Sequence, residues 1–365
     1  MSIRYYISGH GLGHASRSCH ILSSLKNIAP NLDITVSSPA HRWFLDNMLT
    51  EIPLVSTRPW DIGVIQHDSL RLDLPATVTA ANALYRQRDR LLDCEAAELN
   101  SAGVTLVVCD IPSLPLAAAE RAGIRSVAIG NFDWEWIYRG IAADQPEHSS
   151  ALLDLAARCA EDYRRATLML RLPMASPCSA FPNVENVPLV ARHARCPALT
   201  IRKRLGISRD KHIGLLSFGG FGIQQLELTP LASLEDWVFL CEQELELTLP
   251  NLYRLRSGDY FYPDLIAASD VVITKPGYGI VLEAIANQCA VLYTPRGNFP
   301  EEPLLVDGLK RHTRCQEISN AQLLRGDWRQ PLEELLVAPR CEASLATNGA
   351  DVVATRLATL AGVQG

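Results

Sequence analysis

Short runs of β-branched and apolar residues alternate with stretches of helical period along the chain. Residues 3–8 read as a strand, followed by a Gly-rich turn and a helical stretch over 15–28. Further strands fall at 33–37 and 54–58, with a helix over 41–49 between them. Residues 77–100 carry the period and the Ala, Leu, Arg and Glu content of one long helix. The apolar run 104–109 has the continuity of a strand covered on both faces, and it ends in Asp110-Ile111-Pro112. A small helix over 116–121 leads to a strand at 125–129. Alternation of this kind implies a parallel sheet with helices on both sides.

The rhythm stops between Pro173 and Pro197, where five prolines (173, 177, 182, 188 and 197) interrupt any helical period. It resumes with strands at 213–218, 237–241, 252–256, 271–274 and 291–294, and a helix over 350–360 closes the chain. The expectation is an α/β protein of two doubly wound domains, residues 1–175 and 201–345. Residues 176–200 would be the linker and 346–365 the closing helical segment. In open parallel sheets, ligands bind beyond the carboxyl ends of the strands. The loops that follow strands are therefore the places to look for chemistry.

Composition narrows the class. A length of 365 residues suits two domains of ordinary size, and 48% hydrophobic content excludes disorder. No apolar run approaches the ~18–20 residues of a membrane span, and no signal-peptide pattern is present. A net charge of -6 argues against coating nucleic acid or an anionic membrane. The ten cysteines are scattered without a CxxC pair and read as reduced, mostly buried thiols. The expectation is a soluble cytoplasmic protein with no nucleic-acid partner and no integral membrane segment; nothing in the sequence marks its oligomeric state.

The first motif is Gly9-His10-Gly11-Leu12-Gly13-His14-Ala15-Ser16-Arg17, after the first strand and opening a helix. Glycines admit close backbone approach, and the new helix presents free N–H groups. His14 stands where a dinucleotide fingerprint has its third glycine, and no Gly-Lys-Ser/Thr follows as a Walker loop requires. Two histidines at a loop tip suggest proton transfer, with His14 or His10 as general base. A tight turn whose histidines cap the helix is the plainer reading. Zinc at His10 and His14 is disfavoured, because their four-residue spacing needs a helix that Gly11 and Gly13 oppose.

In the second half, Ser217-Phe218-Gly219-Gly220-Phe221-Gly222 follows a strand and can cradle a diphosphate, or simply turn. Thr274-Lys275-Pro276-Gly277-Tyr278-Gly279 links a strand to a helix carrying Glu283. Lys275 and that helix N-terminus suit phosphates, and Glu283 is spaced to take ribose hydroxyls or to complement the helix dipole. Arg296 follows the next strand and can pair with phosphate. Glu301 or Glu302 can hold sugar hydroxyls or be surface charge. Asp110 can bind substrate, orient His14, or cap its own turn. Asn131-Phe132-Asp133-Trp134-Glu135-Trp136-Ile137-Tyr138 is either an aromatic sugar-binding loop or an aromatic core helix.

Taken in order, these motifs resemble the GT-B-type glycosyltransferase-like proteins, nearest the N-terminal half of plant L-arabinokinase and its stand-alone bacterial relatives. The carrying segments are the Gly-His-Gly-x-Gly-His-Ala-x-Arg loop, Asp110-Ile111-Pro112, Asn131-Phe132-x-Trp134, Pro263 to Asp270, and Gly277-Tyr278-Gly279 with Glu283. The second half is also similar to the donor-binding domains of the peptidoglycan lipid-intermediate N-acetylglucosaminyltransferase and of UDP-glucuronosyltransferases.

The resemblance implies two Rossmann-like domains facing across a cleft and a nucleotide-diphosphate sugar, expected to be uridine-linked, as co-substrate. Catalysis would fall to His14, His10 and Asp110. The donor would be held by Gly219, Gly220, Gly222, Lys275, Gly277, Gly279, Glu283, Arg296, Glu301 and Glu302. An unknown acceptor would meet Gly11, Gly13, Arg17, Asn131, Asp133 and Trp134. No Asp-x-Asp motif occurs, and neither metal nor other cofactor is expected. The kinase domain of arabinokinase has no counterpart here, so kinase activity is not carried over. Glu301-Glu302 stands where many GT-B enzymes have an acid or amide followed by glutamine, which leaves the donor sugar open. Hydrolysis or epimerisation of a nucleotide sugar, and non-catalytic sensing of one, are the rival readings.

Overall fold

The computed structural model describes residues 1–40, 42–68, 71–219, 226–242, 247–297, 299–341 and 345–363. The first half runs β1 (Ser2–Ile7), α1 (Leu12–Ile28), β2 (Asp33–Ser37), α2 (Arg42–Met48), β3 (Leu54–Ser56) and a small antiparallel pair, β4 (Gln66–Asp68) and β5 (Arg71–Leu72). There follow α3 (Leu74–Arg86), α4 (Arg88–Ser101), β6 (Leu106–Asp110), α5 (Leu114–Arg121), β7 (Arg125–Gly130), α6 (Trp134–Asp144), α7 (Ser149–Tyr163), β8 (Leu168–Arg171) and β9 (Val184–Asn186). The second half comprises α8 (Ala198–Arg204), β10 (His212–Ser217), β11 (Trp237–Cys241), β12 (Leu252–Arg254), α9 (Tyr262–Ala268), β13 (Val271–Thr274) and α10 (Tyr278–Ala286). It continues with β14 (Ala290–Tyr293), α11 (Glu302–His312), β15 (Cys315–Glu317), α12 (Asn320–Leu324), α13 (Arg329–Val337) and α14 (Gly349–Ala361).

Two parallel sheets result, ordered β3-β2-β1-β6-β7-β8-β9 and β12-β11-β10-β13-β14-β15. Each reverses its strand order once, between β1 and β6 in the first and between β10 and β13 in the second. Those reversals are where crevices open in such sheets. The histidine motif and Asp110 flank the first reversal, and Gly219 and Lys275 flank the second. The central strands are buried along their length, as parallel strands covered on both faces must be.

The residues expected to form one helix over 77–100 form two. Gln87 ends α3 and begins α4, and Arg88 just beyond it turns to donate to Asp162 of α7 through Nε at 3.0 Å. Helical period alone could show neither this break nor the tertiary ion pair beside it. The proline-rich segment carries β9, a three-residue strand at the sheet edge, where proline is tolerated. The closing helix α14 packs on α1 of the first half. One hydrophobic cluster runs from β1 and α1 through α10 and α11 to α14, so the two halves share a core.

Candidate active site

Helices α1 and α10 start at the two sheet reversals and meet end to end. Gly11 caps α1 with φ +76°, a conformation that favours glycine. A Cβ built on Gly279 would stand 3.5 Å from Gly13 Cα, so the two backbones nearly touch. A Cβ at either position would sit in ordinary contact with the other backbone, so anything longer than alanine would have to find room in the seam. Both helices direct unpaired N–H groups and positive dipole ends toward this seam.

Asp110, fully buried at the end of β6, gathers the first-half groups. Its Oδ1 lies 2.8 Å from His14 Nδ1 and accepts from Arg17 Nη2 at 2.6 Å. Its Oδ2 accepts from Arg17 Nε at 2.7 Å and Ser18 Oγ at 2.7 Å. Burial alone would raise this carboxyl, but the charge and hydrogen bonds of Arg17, with those of His14, together hold it well below the usual carboxylate range. Arg17 Nη2, which only donates, also lies 3.0 Å from His14 Nδ1; in the tautomer that donates from Nδ1 to the ionised Asp110, Nε2 presents its lone pair. That is the arrangement of a general base held by a carboxylate. Of the alternatives for Asp110, orienting His14 is the one the geometry supports.

His10 differs. It stacks parallel to Phe299 at 6.5 Å between ring centres and edge-on to Trp134 at 5.1 Å. Burial first, then His14, Arg296 and Lys275, pushes it down to about 3. A neutral imidazole so reluctant to protonate is a poor base near neutral pH, and His14 is the better placed of the two. Among the described residues, no group of three or more His, Cys, Asp or Glu side chains is arranged to hold a metal ion.

The second half supplies cations to the same seam. Lys275 is pushed down to about 7, chiefly by burial and then by Arg296, while Asp68 and Glu301 pull it upward. Arg296 lies over the Phe299 ring at 4.3 Å, donates to Pro276 O at 3.0 Å and pairs with Glu301 at 3.2 Å. Gly277 caps α10. Gly219 has φ +71°, whereas Gly220 and Gly222 lie outside the described residues.

Several expected residues take other roles. Glu301 is buried and accepts from Asn131 Nδ2 at 2.7 Å, while Asn131 Oδ1 accepts from Arg17 at 2.8 Å. This chain of bonds ties the two halves together, so Glu301 is not surface charge. Glu302, at the start of α11, accepts from the Arg296 backbone N–H at 2.9 Å. Glu283 is buried against Arg192, whose Nε donates to it at 2.6 Å, so its carboxylate is engaged by protein in this arrangement. Residues 134–138 begin the aromatic helix α6, while 131–133 form the short loop that leads into it. Trp134 is 1% exposed and Asp133 accepts from Trp136 N–H as the cap of α6. Neither presents polar groups to an acceptor as placed here.

Sequence reasoning missed Asp61 and Arg192. Asp61 accepts from Trp134 Nε1 at 2.8 Å, and burial raises its carboxyl. Its one local signal was the Asp-x-Gly turn of Asp61-Ile62-Gly63.

Asp133 yields a stability prediction. Its Oδ2 has no hydrogen-bond partner among the described residues, and burial pushes the group up to about 7. For an acid raised on folding, the folded state holds the proton between about 4 and 7, so stability falls as pH rises through that window. Asp133→Asn keeps a good cap and removes the buried charge. It is expected to be more stable than wild type at pH 8 by about 1–3 kcal/mol and nearly equal at pH 5 in urea denaturation.

Two parallel doubly wound sheets closing on a shared seam define the GT-B architecture. The solved structures agree on that fold. The glycotransferase of kitacinnamycin is 15% identical with a TM-score of 0.61, covering 99% of this chain and 94% of that one. UGT89C1 of Arabidopsis thaliana with UDP is 15% identical with a TM-score of 0.59, covering 98% and 99%. VinC with dTDP is 14% identical with a TM-score of 0.60, covering 100% and 96%. In sequence the chain is similar to L-arabinokinase of Arabidopsis thaliana, 33% identical over 356 residues and 96% of this chain. It spans 33% of that relative's length. No family model matches. The resemblance read from the motifs therefore holds.

Proposed function

We propose that this chain transfers a glycosyl group from a nucleotide-diphosphate sugar, uridine-linked by preference, to an acceptor hydroxyl without a metal ion. The observation that carries the reading is the His14–Asp110 pair facing the α10 N-terminus, Lys275 and Arg296 across one seam. His14 Nε2 takes the proton of the acceptor hydroxyl as its oxygen bonds to the anomeric carbon. The bond from that carbon to the diphosphate oxygen breaks, and the nucleoside diphosphate leaves with the electron pair. Asp110 stabilises the imidazolium that forms. Helix N–H groups and cations aimed at the leaving phosphates stabilise the developing charge. The aromatic groups around His10 and His14 keep water out of this space.

Asp61 and Glu302 are the carboxylates near the seam available to sugar hydroxyls. Glu283 would reach a ribose once Arg192 releases it.

Lys275 gives a sign-specific test. A lysine lowered on folding is neutral above pH 7 in the free protein, and a bound diphosphate favours its charged form. UDP binding at pH 8 is therefore expected to take up close to one proton, and at pH 6 far less. Calorimetry in buffers of differing ionisation enthalpy reads this directly. Lys275→Met should abolish the uptake, and an unchanged uptake would remove Lys275 from the phosphate site.

The proposal itself is tested by incubating the protein with UDP-sugars, alone and with a panel of sugar and phenolic acceptors, and analysing products by mass spectrometry. A new glycoside that forms only with acceptor supports transfer. Free sugar from donor alone would replace it with hydrolysis, and an altered sugar still on its nucleotide would replace it with epimerisation.

A further inference from the structure

A cavity of about 440 Å³ lies at the carboxyl ends of β8 and β9, apart from the seam. Those strands stand two and three places beyond β6 in the sheet, roughly 10–15 Å from Asp110 at the usual strand spacing. Its lining includes Trp136, Arg171, Met174, Ser176, Asn186 and, from α11 of the other half, Leu304. The mixture is that of a small-molecule site: apolar and aromatic walls with a few polar groups.

The arginine is fixed in place. Arg171 Nε donates to Asn186 Oδ1 at 2.9 Å and Nη1 donates to Pro177 O at 3.0 Å. Nη2 has no partner among the described residues, so a positioned donor carrying positive charge is available to the cavity. Among the described residues no acidic side chain lines the cavity to neutralise it.

We propose that this cavity is a second binding site, taking a compact organic phosphate or carboxylate with a planar or apolar body. The anionic group pairs with Arg171, and the body lies against Trp136 and Leu304. The site also reports on how the halves sit. Met174 packs so closely on α11 that a Cβ on Gly308 would fall 2.3 Å from its sulfur. Ser176 N–H donates to Asn131 O at 2.8 Å, and Asn131 itself bonds Glu301. A ligand touching both Arg171 and Leu304 binds best when the halves are docked, and so favours the arrangement in which Asn131 and Glu301 meet.

Phenyl phosphate is the probe, with benzoate as the carboxylate arm and benzyl alcohol as the neutral control, each titrated by calorimetry. The expected result is saturable binding of an anionic probe and none of the alcohol. Arg171→Gln should weaken it at least about tenfold, and Arg171→Lys should retain part of it. Leu304→Trp, which fills the cavity from the other half, should block it while leaving UDP binding intact. Absence of saturable binding by either anion up to about 10 mM overturns the proposal. So does binding that survives Arg171→Gln but is lost in Lys275→Met, which would put the anion at the α10 N-terminus instead.

Discussion

His14→Ala is expected to lower kcat for glycosyl transfer by roughly 10²–10⁴-fold, the range that a positioned general base contributes. Nucleotide binding should stay within about twofold of wild type, because the phosphate-binding groups belong to the other half of the chain. The direction follows from geometry. Asp110 holds Nδ1 at 2.8 Å and leaves Nε2 as the basic atom, while His10 is driven to about 3 by burial and its cationic neighbours. His10→Ala should therefore disturb packing against Trp134 and Phe299 more than it disturbs proton transfer. A loss of kcat in His10→Ala matching that of His14→Ala would show that the two rings act together.

The largest stability effect is expected at Arg17. It neutralises a carboxylate that is 0% exposed and is itself buried. Arg17→Met leaves Asp110 with only His14 and Ser18, and an unpaired buried charge costs about 3–5 kcal/mol. Without the guanidinium, burial raises the Asp110 carboxyl above its unfolded value. The folded state then binds the extra proton, so the penalty grows as pH rises and shrinks toward about pH 4. Wild type behaves oppositely. Its depressed Asp110 contributes stability above the ordinary carboxylate range and loses it only in stronger acid. Urea denaturation of both proteins at pH 5 and pH 8 checks the sign. In a double-mutant cycle, Arg17→Met with Asp110→Asn should destabilise less than the sum of the single changes.

What was legible in the sequence divides along physical lines. Strands buried on both faces announce themselves by apolar runs, and β11 and β13 fall where the pattern placed them. The His14 and Lys275 loops were legible because glycines between a strand and a helix mark a place where the backbone must come close to something. The pairing of Asn131 with Glu301 was not, since 170 residues separate them and neither has a local requirement for the other. Arg192 on Glu283 was hidden for the same reason: one sits in the proline-rich segment and the other on a helix 91 residues away. Short edge strands such as β9 owe their conformation to the neighbouring strand, so their sequence carries little of it. The aromatic segment at 131–138 fitted both a loop and a helix until burial of Trp134 and the Asp133 cap decided for a helix from Trp134 onward.

The central claim is that the two halves divide the chemistry, with a base in one and a nucleotide-diphosphate site in the other. Its most direct test is calorimetric titration of UDP and a panel of UDP-sugars into the whole protein with EDTA present, repeated on Arg296→Gln and His14→Ala. The expected result is saturable binding that Arg296→Gln weakens at least about tenfold and His14→Ala leaves unchanged. The contradicting result is no saturable binding of any of these nucleotides, or binding that depends on His14 and not on Arg296.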